Sequence, residues 1–481
     1  MYTSIYSKRE RERERGHTAL YTMTKSTKAR AGKKTSKRKK SPVPAWASAA
    51  KKVPKVSASN GENTSNEATS SDVEESNAAL SIADKAKYMN LHVILRENHK
   101  GNIADLQFHS VHDNVFATVG GNQASIYDNQ HLGNHCDIMC NYVNETSEHV
   151  KGGALTTCCW VSLKGLKDAC LAVAGDSGEI VVISHVRSCA EFLLKGHTSS
   201  VTVLAPVRTR PGLLLSRSDD GTIRLWDIVT ESCVREYQSE VGGKENCFTS
   251  LAVLPDGKHF FASDGRGFVY ALAIPSEKEL RPEAKKVESA PAFQGKFSSK
   301  EIPFSKASVV FDPFCDSTLK KQKRFNQLVI PGGAYEEAYT GDLFLLGKTE
   351  KGNVTKWKVT SKKKGKSSKI APYALDQVTS LLIEDECGLC KMSVSKDGNF
   401  VCGGDDEGSI FVKDVGTGET LGDYYYKRVK GQGLSVTFSP CENFILYTNS
   451  NTILRYDFWS DQKEAYEKKQ SEGANAELEN A

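Results

Sequence analysis

A histidine, a serine and an aspartate fall close together at His197, Ser218 and Asp220, with Trp226 following. These are the residue types of a hydrolytic triad, in which an imidazole takes the proton of a hydroxyl nucleophile and a carboxylate orients the ring. The setting argues against that chemistry. The chain has no Gly-x-Ser-x-Gly elbow, the device that lifts a serine out of a sheet into a pocket. Read instead as a structural tetrad, the four side chains satisfy one another. A turn aspartate accepts from the imidazole, while a hydroxyl and an indole N–H extend the relay, so every buried polar group finds a partner.

His131, His135, Cys136 and Cys140 have ligand types that suit zinc. Cys136 to Val143, however, reads as a strand, which sends alternate side chains to opposite faces and so argues against a closed metal site. Cys387-Gly-Leu-Cys390 is a single CxxC with no second pair to complete a metal site. The thirteen cysteines are an odd number with no spaced framework, and in a chain without a secretion signal they read as reduced, mostly buried hydrophobes. No catalytic residue, metal ligand set or cofactor site is therefore expected.

The elements that carry these residues repeat. Seven times an apolar run leads into a Gly/Asp/Asn turn and then a second apolar run: 116–128, 171–183, 214–227, 260–270, 343–357, 400–412 and 444–457. A further strand precedes most of them, as at 103–108, 156–160, 201–204 and 434–438. Two hairpins per repeat make one propeller blade, and seven blades close into a ring that leaves few sheet edges open. The expected class is all-β, a seven-bladed propeller over 89–459. The strand-like run 91–95 is the natural outer strand for the last blade. Long loops are expected at 276–305 and 360–375, and a charged tail at 460–481.

Residues 1–85 have a different texture. Between Met1 and Lys55 there are 17 Lys/Arg against three Glu, a balance of +14 that leaves about −9 on the rest, given the overall +5. The Arg/Glu alternation of 8–15 reads as a translated simple repeat upstream of a start at Met23. Lys33, Lys34, Lys37, Arg38, Lys39 and Lys40 form a compact cationic cluster, the pattern of a nuclear import signal or a phosphate contact. From Ser57 to Ser76 the chain is Ser-, Asn-, Thr- and Glu-rich, too polar to offset its ordering entropy, so a disordered tail is expected. A second basic run, 362–369, interrupts the propeller between blades five and six. The sequence has no run of apolar residues long enough to span a bilayer and no signal-peptide core.

The third repeat, from Gly196-His197 to Trp226-Asp227, resembles the WD40 pattern closely, and in that family the equivalents of His197, Ser218, Asp220 and Trp226 form the hydrogen-bonded tetrad. The other repeats are degraded: Lys351 stands where the turn Asp before Trp357 belongs, and Asp405-Asp406 has no downstream Trp. Over about 90–459 the first three repeats are similar in order and spacing to the Polycomb extra-sex-combs / embryonic-ectoderm-development family. The run 401–410 also looks like the sixth blade of the leucine-rich-repeat and WD-repeat protein associated with the origin recognition complex.

Both resemblances imply a nuclear, non-enzymatic, chromatin-associated scaffold whose partners are proteins of chromatin complexes, histone tails or the origin recognition complex. The basic tail adds the prospect of non-specific DNA contact, and neither a membrane nor a small-molecule substrate is expected. One alternative is a diverged Polycomb repressive complex subunit serving a histone methyltransferase; another is a general nuclear or ribonucleoprotein assembly scaffold. The Polycomb resemblance implies an aromatic cage for trimethyl-lysine near Ile103 or Ala104, and at Thr156, Cys390 and Lys391. None of these is aromatic, and Lys391 would repel a cation.

Overall fold

A computed structural model describes residues 81–458 except 97–98, 100, 111, 113, 130–135, 167, 239–246, 281–307, 313–323, 333–341, 362–372, 383–389, 406 and 428–432. The cationic cluster Lys33–Lys40, the basic run 362–369 and the tail 460–481 lie outside the described residues. The strands form seven antiparallel four-stranded sheets. Blades one to six span 103–143, 155–194, 201–237, 248–311, 325–382 and 393–425. Blade seven takes three strands from 433–458, and its outer strand is Met89–Arg96 from the N-terminal side, paired Met89↔Phe458 through Arg96↔Thr452.

Why these runs fold as blades is visible in their burial. The central strands are covered on both faces by neighbouring blades, so they are mostly apolar: Val115–Gly120 and Cys170–Gly175 are buried at every position. Outer strands face solvent on one side and mix polar residues in, as in Ser232–Tyr237. The core lies between blades. Ala117, Val119 and Ile126 of blade one pack with Cys158, Trp160, Leu171 and Val173 of blade two. Val93 and Leu446 of blade seven pack with Ile103, Phe108 and Phe116 of blade one. Each large aliphatic or aromatic side chain among them stabilises by roughly 1.5–3 kcal/mol on burial, without need of exact pairing partners.

Closure is reinforced by polar contacts. The His92 ring meets the Asp457 carboxylate at 2.5 Å, and Arg455 donates both to Asp457 and, across the seam, to Asn129 of blade one, each at 2.5 Å. The fold also begins earlier than the sequence reading placed it. Helix α1, Ile82–Ala86, overlaps the tail expected over 1–85 in all but its last residue, and Ile82, Lys85 and Ala86 are buried against the propeller. A five-residue helix has no periodicity long enough to read. The loop expected at 360–375 is narrower, because the strands Asn353–Ser361 and Tyr373–Leu382 run into it from both sides. The loop expected at 276–305 opens with a single helical turn, Glu277–Leu280.

Candidate functional site

In blade three the strands Leu213–Ser218 and Ile223–Asp227 pair with Leu214 opposite Trp226 and Ser216 opposite Arg224. Residues two apart share a face, so Ser216 is the diagonal neighbour of Trp226. The indole Nε1 of Trp226 donates to Ser216 Oγ at 2.8 Å, and Ser216 Oγ meets His197 Nε2 at 2.7 Å. His197 Nδ1 in turn meets Asp220 Oδ2 at 2.8 Å. The serine of the tetrad is thus Ser216, which corrects the assignment of Ser218. Ser218 shares the face but lies one step further along the strand, out of reach of the indole. Its hydroxyl donates to the Ser199 carbonyl at 3.0 Å and accepts from the Asp220 amide at 3.1 Å.

Burial alone would raise the Asp220 pKa, but hydrogen bonds from His197 and Thr222 outweigh it and hold the carboxyl well below the usual range. Gly196 is required for the close approach: a Cβ there would lie 2.3 Å from the Arg224 guanidinium and 3.0 Å from the Trp226 ring. With His197, Ser216 and Trp226 all buried, the constellation has the shape of a structural pin.

The same spacing finds a second, altered relay. His99 lies nineteen residues before Thr118, as His197 does before Ser216, and His99 Nε2 meets Thr118 Oγ1 at 3.0 Å. Thr118 then reaches the Tyr127 hydroxyl at 3.4 Å, tyrosine standing in for tryptophan. The signal was in the sequence, but Tyr at the Trp position hid it. Blade five shows the opposite loss. Trp357 is fully buried, but Gly347 stands ten residues before it, where blade three has Ser216, and the indole Nε1 has no hydrogen-bond partner. An added Cβ on Gly347 would press to 2.9 Å from the Trp357 ring and 3.0 Å from the Phe325 ring.

The proposed cage positions are committed to the fold's own bonds. The backbone of Lys391 joins blade six to blade seven, its amide donating to Leu434 O and its carbonyl accepting from Val436 N. Its ammonium reaches past blade seven to Asp105 Oδ2 of blade one at 2.8 Å. That carboxylate is 2% exposed. It also accepts from Thr157 Oγ1 and the Cys158 amide of blade two at 3.1 and 3.2 Å, and from the Leu106 amide at 3.0 Å. Thr156 donates to the Val201 carbonyl at 2.6 Å, Cys390 is buried, and Ile103 is a core residue. Where the resemblance implies a cage for a ligand's cation, the chain holds its own lysine against a carboxylate. Asp105→Asn should cost about 2 kcal/mol, because it halves a saturated, buried acceptor, while the lysine it unpairs is 32% exposed and adds little. Lys391→Met should cost about 1 kcal/mol or less, since Asp105 keeps its other donors. Denaturant unfolding of the two variants checks that ranking.

Among the described residues no group of three or more His, Cys, Asp or Glu is arranged to hold a metal. His131, His135 and Cys387 lie outside the described residues. The strand Asp137–Val143 divides the remaining candidates: Cys136 packs in the seam between blades seven and one, Cys140 between blades one and two.

The model of the family described as WD domain, G-beta repeat matches residues 187–227, the region of the complete tetrad. The Polycomb group protein FIE1 of Oryza sativa subsp. japonica is 27% identical over 318 residues, covering 64% of this chain and 74% of that protein. The Polycomb protein esc of Drosophila virilis is 30% identical over 155 residues, covering 31% of this chain and 35% of its own length. A chain of the humanized Chaetomium thermophilum Polycomb Repressive Complex 2 bound to the inhibitor GSK126 superposes with a TM-score of 0.58 at 14% identity. The superposition covers 78% of this chain and 98% of that one, and it is a likeness of fold. These matches lend no support to the origin-recognition resemblance. The chain is a seven-bladed propeller that carries a WD40 repeat in blade three and is similar in sequence to the FIE and esc proteins of the Polycomb group.

Proposed function

We propose that the chain is a non-enzymatic, nuclear scaffold of Polycomb type, binding proteins of a chromatin-modifying complex as a diverged repressive-complex subunit. The observation that carries this reading is the similarity to FIE1 over most of that protein's length. The chemistry agrees with it: the Ser/His/Asp set is consumed in a buried pin, and the polar clusters described above satisfy one another inside or between blades. Display of loops and edges on a rigid wheel is then the mode of action. The basic arm, with its cluster Lys33–Lys40, supplies nuclear import and a sequence-independent contact to DNA phosphate. Recognition of trimethyl-lysine by an aromatic cage is no part of the proposal, because Lys391 and Asp105 occupy that position as an ion pair.

The test is affinity purification of the tagged full-length chain from nuclei, read by mass spectrometry. Co-purification of a Polycomb-type histone methyltransferase is the expected result. A chromatin-bound chain recovered with other complexes and no such enzyme would remove the Polycomb assignment. Exclusion from chromatin would remove the scaffold reading altogether.

A further inference from the structure

Helix α1 sits as a guest on blades six and seven. At five residues it is far too short to be stable by itself, and its N-cap is local: Ser81 Oγ accepts from the Asp84 amide at 3.2 Å. What holds it is the seat. Ile82 and Ala86 enter the apolar cluster formed by Cys402 and Val412 of blade six and Phe438 and Tyr456 of blade seven. The Tyr424 hydroxyl, from the outer strand Thr420–Tyr425 of blade six, donates to the Ala86 carbonyl.

Lys85, one step before Ala86, is 3% exposed. Burial lowers the pKa of its amine, against the opposing pull of Glu442. Burial likewise raises the Glu442 carboxyl, which accepts from the Lys396 amide at 2.8 Å. Glu442 adopts a left-handed backbone, φ 57°, an uncommon conformation for a non-glycine residue. Beside the helix, and left open by it, is a cleft of about 550 Å³ whose lining includes Leu421, Tyr425 and Tyr456.

The seat therefore reads an aliphatic residue at one position, a base three residues later and a small residue after that. The negative charge of Glu442 complements the base, and the phenol of Tyr424 takes the helix's carbonyl end. From this complementarity we infer that α1 is a self-docked plug in a peptide-binding seat between blades six and seven. The occupant it excludes is a partner's short helix of the pattern aliphatic-x-x-Lys/Arg-small. A partner helix extended beyond one turn gains the ring-lined cleft that α1 leaves empty, which is how it displaces a tethered competitor. The inference rests on the seat and is independent of the Polycomb reading.

The test uses the full-length chain and a fluorescent peptide of residues 81–90. The intact chain is expected to bind the peptide at least tenfold more weakly than the variant Ile82→Glu, which ejects the helix. Adding Glu442→Gln to that variant should cost at least another fivefold. Tryptophan emission and amide exchange over Leu91–Leu95 establish that each variant is folded. Equal binding by the intact and Ile82→Glu chains, or none by the folded variant, overturns the inference. Should Ile82→Glu fail to fold, amide exchange in the intact chain decides. Exchange at Lys85 and Ala86 at least a hundredfold faster than at Leu91–Leu95 supports a detachable plug. Comparable rates make α1 an integral part of the blade and overturn it.

Discussion

Ser216→Ala is expected to destabilise the protein by about 3 kcal/mol, and Ser218→Ala by no more than about 1 kcal/mol, although the two serines are two residues apart on one strand. Ser216 Oγ is the only link between Trp226 Nε1 and His197 Nε2 in the relay. Its removal leaves a buried indole N–H and a buried ring nitrogen without partners, and each such orphan costs about 1–3 kcal/mol. The loss propagates, because the His197 ring is then held only from its Nδ1 side, by Asp220 and Thr222. Ser218 is buried as well, but its partners, Ser199 O and the Asp220 amide, belong to half-buried turn residues that can turn to water when the hydroxyl is lost. Denaturant unfolding of the full-length chain followed by tryptophan emission provides the comparison. Hydrogen exchange at the Trp226 indole supplies an independent readout, and should accelerate only in the Ser216 variant. Equal losses for the two substitutions would show that the relay does not pin the blade.

The second large effect is a loss of stability on mild acidification. Burial lowers the His99 pKa from 6.5 to about 4, and burial together with His112 and His185 lowers that of His109 to about 3. Both rings are fully buried. For a histidine with a depressed pKa the unfolded chain binds its proton first. Stability is therefore unaffected above pH 6.5, falls as the pH drops below that value, and stops falling once the folded-state pKa is passed. Two protons taken up preferentially by the unfolded state give a slope of at most about 2.7 kcal/mol per pH unit. The loss from His99 alone reaches roughly 3 kcal/mol by pH 4.

Asp220 acts in a separate window. Its carboxyl is depressed, so the stability it contributes is present above the ordinary carboxylate range and is lost only as the pH falls through and below it. Between pH 7 and pH 4 the histidines set the downward slope, offset in part by Glu442, whose carboxyl is raised by burial and gains stability on protonation, and His99→Asn should lower the slope by about one proton. A flat stability profile between pH 6.5 and 4.5 would mean that these rings take up protons in the folded state without penalty.

These two predictions depend on different amounts of foresight. The relay was visible as a set of residue types, yet one member was misassigned. Alternation along a strand places Ser216 and Ser218 on the same face, and only the cross-strand register, Leu214 against Trp226, says which is adjacent to the indole. The buried histidines were not visible as a group. His109 lies against Trp160, with ring centroids 4.4 Å apart, and near His185 at 5.8 Å. Both partners come from the neighbouring blade two. The relay His99–Thr118–Tyr127 matches the first spacing of its blade-three counterpart, but the change from Trp to Tyr removes the letter by which a reader would find it.

The amino-acid sequence by itself determined the seven paired runs, their order and the borrowed outer strand at 91–95. Strand period and turn residues are local signals, and each hairpin closes over a few residues. Only the tertiary structure decided which polar groups meet. Lys391 and Asp105 are brought together by ring closure across blade seven, and α1 is a helix only because blades six and seven offer it a seat. Contacts between residues hundreds of positions apart depend on how twisted sheets stack around a common axis. That stacking is summed from all seven blades and is written in none of them singly.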